Sequence, residues 1–172
     1  MTAVSGFGLS KLFLNDVGWS LQEIGQLGMV SGLVTVVLGC GGGAWLIQRI
    51  GLWPAFCMGV TGAALSACLW AALLPIGAAW AIAALGALST GITSVAILTA
   101  GMRFAARGTQ AGTDVTAVQS TRDLGELLAS SFLVTLTANL GYTGSFVAGG
   151  VIALIALLVA RKLSIDADPG AY

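Results

Sequence analysis

Long apolar runs separated by short polar stretches are the dominant pattern along this chain of 172 residues. Five of the runs have 18 or more residues each, which is enough for a helix to cross a hydrocarbon core about 30 Å thick. The runs are continuous rather than alternating, so the pattern favours helices over the strands of a membrane barrel. The five predicted spans are residues 26–47, 53–74, 79–102, 113–139 and 144–161.

A sixth apolar segment, residues 1–14, is shorter than a span. At a rise of 1.5 Å per residue it covers about 21 Å, so we expect it to be part of a longer helix. Residues 164–172 are predicted to form a polar tail. The sequence therefore predicts an all-α polytopic membrane protein, with a transmembrane bundle over 1–163 that contains five full helices and a partial N-terminal one.

The amino-acid composition indicates a protein whose partner is the lipid bilayer. Hydrophobic residues make up 57% of the chain and charged residues 8%, whereas a soluble domain is about 25% charged. The net charge is zero, which gives no indication of a nucleic-acid partner. The chain has no histidine, and its other residues show no spacing typical of a metal site or of a nucleophile with its base. We therefore expect no enzyme activity, no metal and no cofactor.

Basic residues predict the orientation of the chain in the membrane. If every predicted span crosses once, five basic residues fall on one side and Lys11 lies towards the other. Loops rich in lysine and arginine stay on the cytoplasmic side, so we expect a cytoplasmic C-terminus and a cytoplasmic tail. The five residues are Arg49, Arg103, Arg107, Arg161 and Lys162.

Small residues at a spacing of four mark helix faces that can pack closely. Gly39 and Gly43 have this spacing in the first full span. Between helices in lipid, packing replaces the hydrophobic effect as the driving force, and small residues let the backbones approach each other. We therefore expect Gly39 and Gly43 at a helix–helix contact.

The end of the first full span carries a sequence motif, GGGAWLIQRIG, over residues 41–51. It resembles the signature G-x-L-x-D-R-x-G that major facilitator superfamily transporters carry between helices 2 and 3, with a degenerate copy between helices 8 and 9. Leu46, Arg49 and Gly51 match this cytoplasmic-loop motif, whereas Gln48 replaces the aspartate and Ala44 replaces the first glycine. The pattern is similar to the degenerate second copy.

Three further stretches extend the resemblance over nearly the whole chain. Residues 17–28 are similar to the outer loop before helix 8 in muropeptide-permease-like and siderophore-permease-like members of the superfamily. Residues 111–125 and 139–150 resemble helix 11 and the turn into helix 12. The resemblance implies the C-terminal half of such a transporter, in which residues 1–14 end helix 7 and the five spans are helices 8 to 12.

The resemblance also implies a function and a partner. Members of the superfamily move a small-molecule substrate by alternating access between two halves. The expected function is secondary transport of a siderophore-like or muropeptide-like solute across the bacterial inner membrane. The expected partner is an N-terminal transporter half or a second copy of this chain. The alternative is an integral membrane protein that does not transport and depends on partner helices.

Three charged residues lie inside the fourth predicted span. Arg122, Asp123 and Glu126 belong to a polar stripe about 120° wide on one face of the helix. By the helical rise, Arg122 lies about 14 Å and Glu126 about 20 Å from the helix start, near the middle of the bilayer. Each central charge costs about 2.5–3.5 kcal/mol to insert. The stripe consists of Thr116, Gln119, Arg122, Asp123, Glu126, Ser130 and Thr137.

Three interpretations of this stripe are open at this point. In one, Arg122 pairs with one carboxylate and the other binds and releases protons, as a proton-coupled symporter requires; Glu126 is the leading candidate for the proton carrier and Asp123 the next. In another, the ion pair only fixes helix packing. In the last, the helix begins near Thr121 and the charges lie at the interface. Four hydroxyls in the third span either bond their own backbone or line a cavity: Ser89, Thr90, Thr93 and Ser94.

Overall fold

A computed structural model describes residues 7–72, 78–106 and 111–167 of the chain. These residues are helical apart from short turns, and none of them forms a strand, so the predicted all-α architecture is confirmed over them. Helix α6 extends into the predicted polar tail, of which 168–172 lie outside the described residues. The helices are α1 Phe7–Asp16, α2 Leu21–Val34, α3 Gly41–Ile50, α4 Leu52–Ala71, α5 Ala79–Ala105 and α6 Ala111–Ala167, with a π-helix Thr35–Cys40 between α2 and α3.

Four helical stretches in the described part of the chain are long and apolar enough to cross a membrane. The last of them has 51 residues, more than twice the roughly 20 that one crossing requires. It contains two of the predicted spans, 113–139 and 144–161. The architecture is that of a helical integral membrane protein. The four stretches are Leu21–Ile50, Leu52–Ala71, Ala79–Ala105 and Gly112–Lys162.

Helix α6 reverses its direction at Gly141, which has φ 70° and ψ 179°. This backbone region is essentially restricted to glycine. The Ser145 hydroxyl donates a hydrogen bond of 3.0 Å to the Leu133 carbonyl, although the two residues would lie about 18 Å apart in a straight helix. Helix α6 therefore consists of two antiparallel arms, the N-terminal arm 111–140 and the C-terminal arm 142–167, each long enough for one crossing.

A second glycine makes the turn between α3 and α4. Gly51 has φ 92° and ψ 170°, in the same region that only glycine adopts readily, and it alone separates the two helices. Its N–H donates to the Ile47 carbonyl at 3.0 Å and so closes α3. The last glycine of the sequence motif thus has a local structural reason.

Helix α5 lies at the centre of the bundle, in contact with α1 to α4, the π-helix and α6. Its neighbours approach it through small residues. A Cβ atom added at Gly39 would lie 2.8 Å from the Gly91 Cα, and one added at Gly43 would lie 3.0 Å from the Ile92 Cα. The first distance is shorter than real Cβ atoms show and the second is unusually tight, so the helices meet here backbone to backbone.

The π-helix Thr35–Cys40 lies at this crossing and is stabilised from α5. The Thr35 hydroxyl lies within hydrogen-bond distance of two carbonyl oxygens, that of Ser31 at 2.9 Å and that of Ala87 on α5 at 3.2 Å. Such stretches of wider helix are rare and usually local. The apolar pattern of the sequence does not distinguish this turn from the α-helix on either side.

The bundle has two distinct ends because consecutive spans alternate in direction. One end is packed by a buried cluster of Ile47, Ala55 and Ala96. We call it the arginine end, since the last turn of α3, the last turn of α5 and the end of the C-terminal arm of α6 meet there. The basic side chains that these segments carry are Arg49, Arg103, Arg161 and Lys162.

The opposite end, called the aromatic end, is packed by aromatic rings. Trp70 and Phe146 stack with their ring centroids 6.0 Å apart, and Phe13 lies edge-on to both at 6.3 Å. The Tyr142 hydroxyl donates a hydrogen bond to the Asp16 carboxylate. This contact ties the end of α1 to the reversal in α6.

We predict that Gly141→Ala lowers the free energy of unfolding by about 1–3 kcal/mol, because alanine must then adopt a backbone conformation reserved for glycine. Denaturant unfolding in a mild detergent measures the change. Gly125→Ala is the matched control, because Gly125 lies within the N-terminal arm with open space around an added Cβ. There, alanine should raise stability by about 0.4–1 kcal/mol or leave it unchanged. Equal effects of the two substitutions would contradict the reversal at Gly141.

Candidate functional site

The N-terminal arm of α6 carries the predicted polar stripe and packs part of it against α5. Arg122 is half-buried, and its Nη2 atom donates a hydrogen bond of 2.8 Å to the Ser94 Oγ atom. The arm is helical from Ala111, so the helix itself begins before Thr121, whereas the placement of the charges at the membrane interface stays a prediction. The arginine therefore lies within a helix that begins well before it, joined to the central helix of the bundle.

Two contacts fix how α5 and the N-terminal arm are aligned. Arg122 bonds to Ser94, and a Cβ added at Gly101 would meet the Val118 Cγ1 atom at 3.3 Å. The numbers rise on one helix as they fall on the other, so the two run antiparallel. By these two contacts, Gln119 lies at the level of residues 97–100, and Glu126 lies at the level of residues 90–93.

Two buried polar atoms near this contact have no hydrogen-bond partner among the described residues. One is the Gln119 side-chain oxygen, one helical turn from Arg122. The other is the Thr90 hydroxyl on α5, one turn from Ser94, in a side chain that is only 8% exposed. Buried polar atoms are nearly always hydrogen-bonded in proteins. Two buried oxygen atoms without a partner at one helix contact are therefore an unusual feature.

The two carboxylates of the stripe lie in different surroundings. Glu126 is half-buried, whereas Asp123 is exposed. They are three positions apart on one side of the helix, so their difference in burial comes from the neighbouring helices. Of the two, Glu126 is the one that the fold draws towards the inside of the bundle.

The remaining predicted residues of the stripe divide between two roles. Thr116 is exposed, and its hydroxyl donates to the Gly112 carbonyl of its own helix at 2.9 Å. Ser130 lines an apolar cleft of about 200 Å³ between the N-terminal arm and α1. The Thr137 hydroxyl lies 2.9 Å from that of Ser145, so it helps to close the α6 hairpin. The structure thus joins Arg122 to α5, leaves Gln119 and Glu126 half-buried, and places Thr116 and Asp123 at exposed positions.

The four hydroxyls of α5 also divide. Those of Ser89 and Thr93 donate to backbone carbonyls of their own helix, at 2.7 Å for Ser89 and at 2.9 and 3.0 Å for Thr93. Ser94 accepts the bond from Arg122, and Thr90 has the unpartnered hydroxyl. The sequence alone does not distinguish the roles of these four hydroxyls. Ser94 and Thr90 differ from the other two because of how α5 is aligned with the N-terminal arm, which is distant in the sequence.

The cytoplasmic-loop motif forms the corner at the arginine end. Leu46 packs against the buried cluster there. The guanidinium carbon of Arg49 lies 5.5 Å from the centroid of the Trp45 ring, which is a cation–π contact. With the turn at Gly51, all three matched residues of the motif have a local structural role.

The α5–α6 contact combines polar and charged groups that can bind other charged or polar species. An arginine with several donors, a half-buried carboxylate one turn away and two unpartnered acceptors can hold water, an anion or a mobile proton. Within the described ranges, no three cysteine, aspartate or glutamate side chains are close enough to hold a metal ion. No family model, no curated protein and no solved structure matches this chain.

We predict that Ser94→Ala lowers the free energy of unfolding by about 1.5–3 kcal/mol, because a half-buried guanidinium loses a hydrogen-bond partner. A double-mutant cycle with Arg122→Met isolates the pair from other effects of each change. Ser120→Ala, at an exposed position of the same arm, is the control and should have little effect. A coupling energy of zero between Ser94 and Arg122 would show that the bond does not stabilise the bundle.

Proposed function

We propose that this chain is the C-terminal half of a proton-coupled secondary transporter of the major facilitator type. One observation carries the proposal: Arg122 bonds to Ser94 between two antiparallel, apolar spans, with the half-buried Glu126 one turn away. Ionisable groups within a membrane segment are expensive and typically mark a substrate or proton pathway. The motif at residues 41–51 and the stretches at 17–28, 111–125 and 139–150 support the same assignment.

The transport mechanism is alternating access between two halves around a site near the middle of the membrane. This chain supplies one rigid half. The exposed side of the N-terminal arm, with Asp123 and Thr116, faces the other half and the solute between them. The solute is bulky and polar, of the siderophore or muropeptide class.

Glu126 is the proton carrier in this mechanism. When it is protonated, the polar stripe loses one negative charge and the half can rearrange around the substrate. When it is ionised, its charge is opposite to that of Arg122, one helical turn away, and the two can pair. Alternate protonation from the two sides of the membrane then links solute movement to the proton gradient.

The arginine end is assigned to the cytoplasm. Arg49, Arg103, Arg161 and Lys162 all lie at that end of the bundle, and basic residues near span ends favour the cytoplasmic side. The aromatic end then faces outwards, so that the solute enters near the aromatic cluster. A cytoplasmic C-terminus in the bacterial inner membrane follows from the same assignment.

A second candidate function is a membrane protein that binds partner helices without transport. The polar groups of α6 also act as structural ties, because Arg122 joins α6 to α5 and Thr137 meets Ser145 within the hairpin. In that case the charged cluster would only fix packing. The two candidate functions make different predictions: the first requires solute transport that depends on Glu126, and the second requires no transport.

The length of the polypeptide in the source membrane decides where the other half lies. An antibody against residues 164–172 should detect a band of at least twice 17.3 kDa if the two halves share one chain. A band near 17.3 kDa would place the other half in a separate protein or a second copy, and cross-linking would then identify it.

We predict that Glu126→Gln in the native-length protein abolishes solute accumulation driven by a proton gradient. Removing a proton-transfer group lowers the rate of a coupled step by about 100-fold or more. Exchange of labelled for unlabelled solute across the membrane, which moves no net proton, should persist. Uptake of a radiolabelled iron(III) hydroxamate siderophore and of a radiolabelled muropeptide into proteoliposomes measures both reactions.

Glu23→Gln is the matched control, since Glu23 is exposed at the start of α2, and glutamine can keep its capping contact with Ser20. It should retain accumulation. Accumulation that survives Glu126→Gln would exclude the proton role of Glu126. If the unmodified protein moves neither solute, the second candidate function is favoured.

A further inference from the structure

The two unpartnered atoms lie on either side of the Arg122–Ser94 bond. The Gln119 oxygen is one turn along α6 towards the arginine end, and the Thr90 hydroxyl is one turn along α5 towards the aromatic end. From Gln119 to Glu126, at the level of Thr90, the distance along the helix is about 10 Å. The polar atoms therefore form a line between two helices rather than an isolated pair.

Leaving a buried polar atom without a partner costs about 1–3 kcal/mol. Two such atoms at one contact would be a large penalty in a bundle that otherwise satisfies its hydroxyls, as Thr93 and Thr137 do. Buried water is the usual partner of such atoms, provided that the site is polar and has space. The site is polar, and the side chains of Ser94, Gln119 and Arg122 are only half-buried there.

The charged residues around this line are few. Helix α5 has no charged residue from 79 to 102, and α4 has none in its whole length. Helix α1, which packs against the N-terminal arm, contributes Lys11. The charged groups around the line are therefore Lys11 of α1 and three residues of the stripe: Arg122, Asp123 and Glu126.

We propose that ordered water fills the contact between α5 and the N-terminal arm, joins Gln119, the Arg122–Ser94 pair and Thr90, and conducts protons between the arginine end and Glu126. The proton route then runs inside this half of the protein, behind the surface that faces the solute. Thr90 and Ser94 are positioning residues, because they hold water beside Glu126 and do not themselves take the proton. The inference rests on the proposed function, because it assigns the path by which protons reach Glu126, the proposed proton carrier.

The first test needs no substrate. Solid-state NMR of the protein in lipid bilayers, with magnetisation transferred from water, reports which side chains lie next to water. Thr90 and Gln119 should receive the signal early, whereas Thr93, which is fully buried and bonded to its own helix, should not. A Thr90 signal as weak as that of Thr93 would overturn the proposal.

The second test removes the hydroxyl while keeping the shape of the side chain. Thr90→Val should slow proton-driven uptake of the same two radiolabelled solutes about tenfold, as expected for the loss of one hydrogen-bonded link. Exchange without net proton movement should stay near the unmodified rate. Thr93→Val is the matched control on the same helix and should leave both reactions unchanged.

Three results separate failure of the route from failure of the proposed function. Unchanged proton-driven uptake in Thr90→Val, with Glu126→Gln inactive, overturns the route and leaves the transporter assignment standing. An equal loss of uptake and exchange in Thr90→Val also overturns it, because the residue would then serve folding or solute binding. Absence of uptake by the unmodified protein rejects the transporter assignment and the proton route with it.

Discussion

Every polar group in the interior of this bundle needs a partner inside the protein, because the surrounding hydrocarbon provides none. Most hydroxyls meet this need locally by donating to a carbonyl one turn earlier, as Ser89, Thr93 and Thr137 do. A guanidinium cannot be satisfied in that way, since its donors extend beyond its own helix. Arg122 therefore requires a neighbouring helix at hydrogen-bond distance, and the position of α6 against α5 follows from that requirement.

Helix α5 can serve as this neighbour because it is built largely from small residues. Where α5 meets the π-helix, Gly39 and Gly91 bring two backbones into direct contact. On the side facing α6, Gly101 admits the Val118 side chain, and Ser94 accepts the hydrogen bond of Arg122. A central helix with larger side chains would push both neighbours outwards and separate the guanidinium from its acceptor. Close helix packing and hydrogen bonding of buried polar groups therefore depend on the same arrangement of helices. This is expected in lipid, where the hydrophobic effect does not drive helices together.

The spans could be predicted from the sequence because apolar run length is a local property. The reversal at Gly141 falls within the expected turn, and the wheel of residues 113–139 places on one face Gln119, Arg122 and Glu126, which are all half-buried. It could not separate them from Asp123 and Thr116, since the width of the buried face depends on neighbours far away in the chain. The Ser94 partner, the unpartnered Thr90 hydroxyl and the π-helix share this limitation, because each is defined by a contact between distant segments. The transporter resemblance itself stays a prediction.

The reversal at Gly141 has a consequence for how the chain enters the membrane. A single glycine joins the charged N-terminal arm of α6 to a C-terminal arm that has no charged residue between 142 and 160. Two segments joined this tightly can partition into the bilayer together as one helical hairpin, so their insertion energies add. The favourable insertion free energy of the apolar C-terminal arm then offsets the unfavourable insertion free energy of Arg122, Asp123 and Glu126. The N-terminal arm, which is the least hydrophobic span, can therefore enter the lipid together with the span that follows it. The same tight turn that shapes the folded bundle thus makes its charged helix insertable during synthesis.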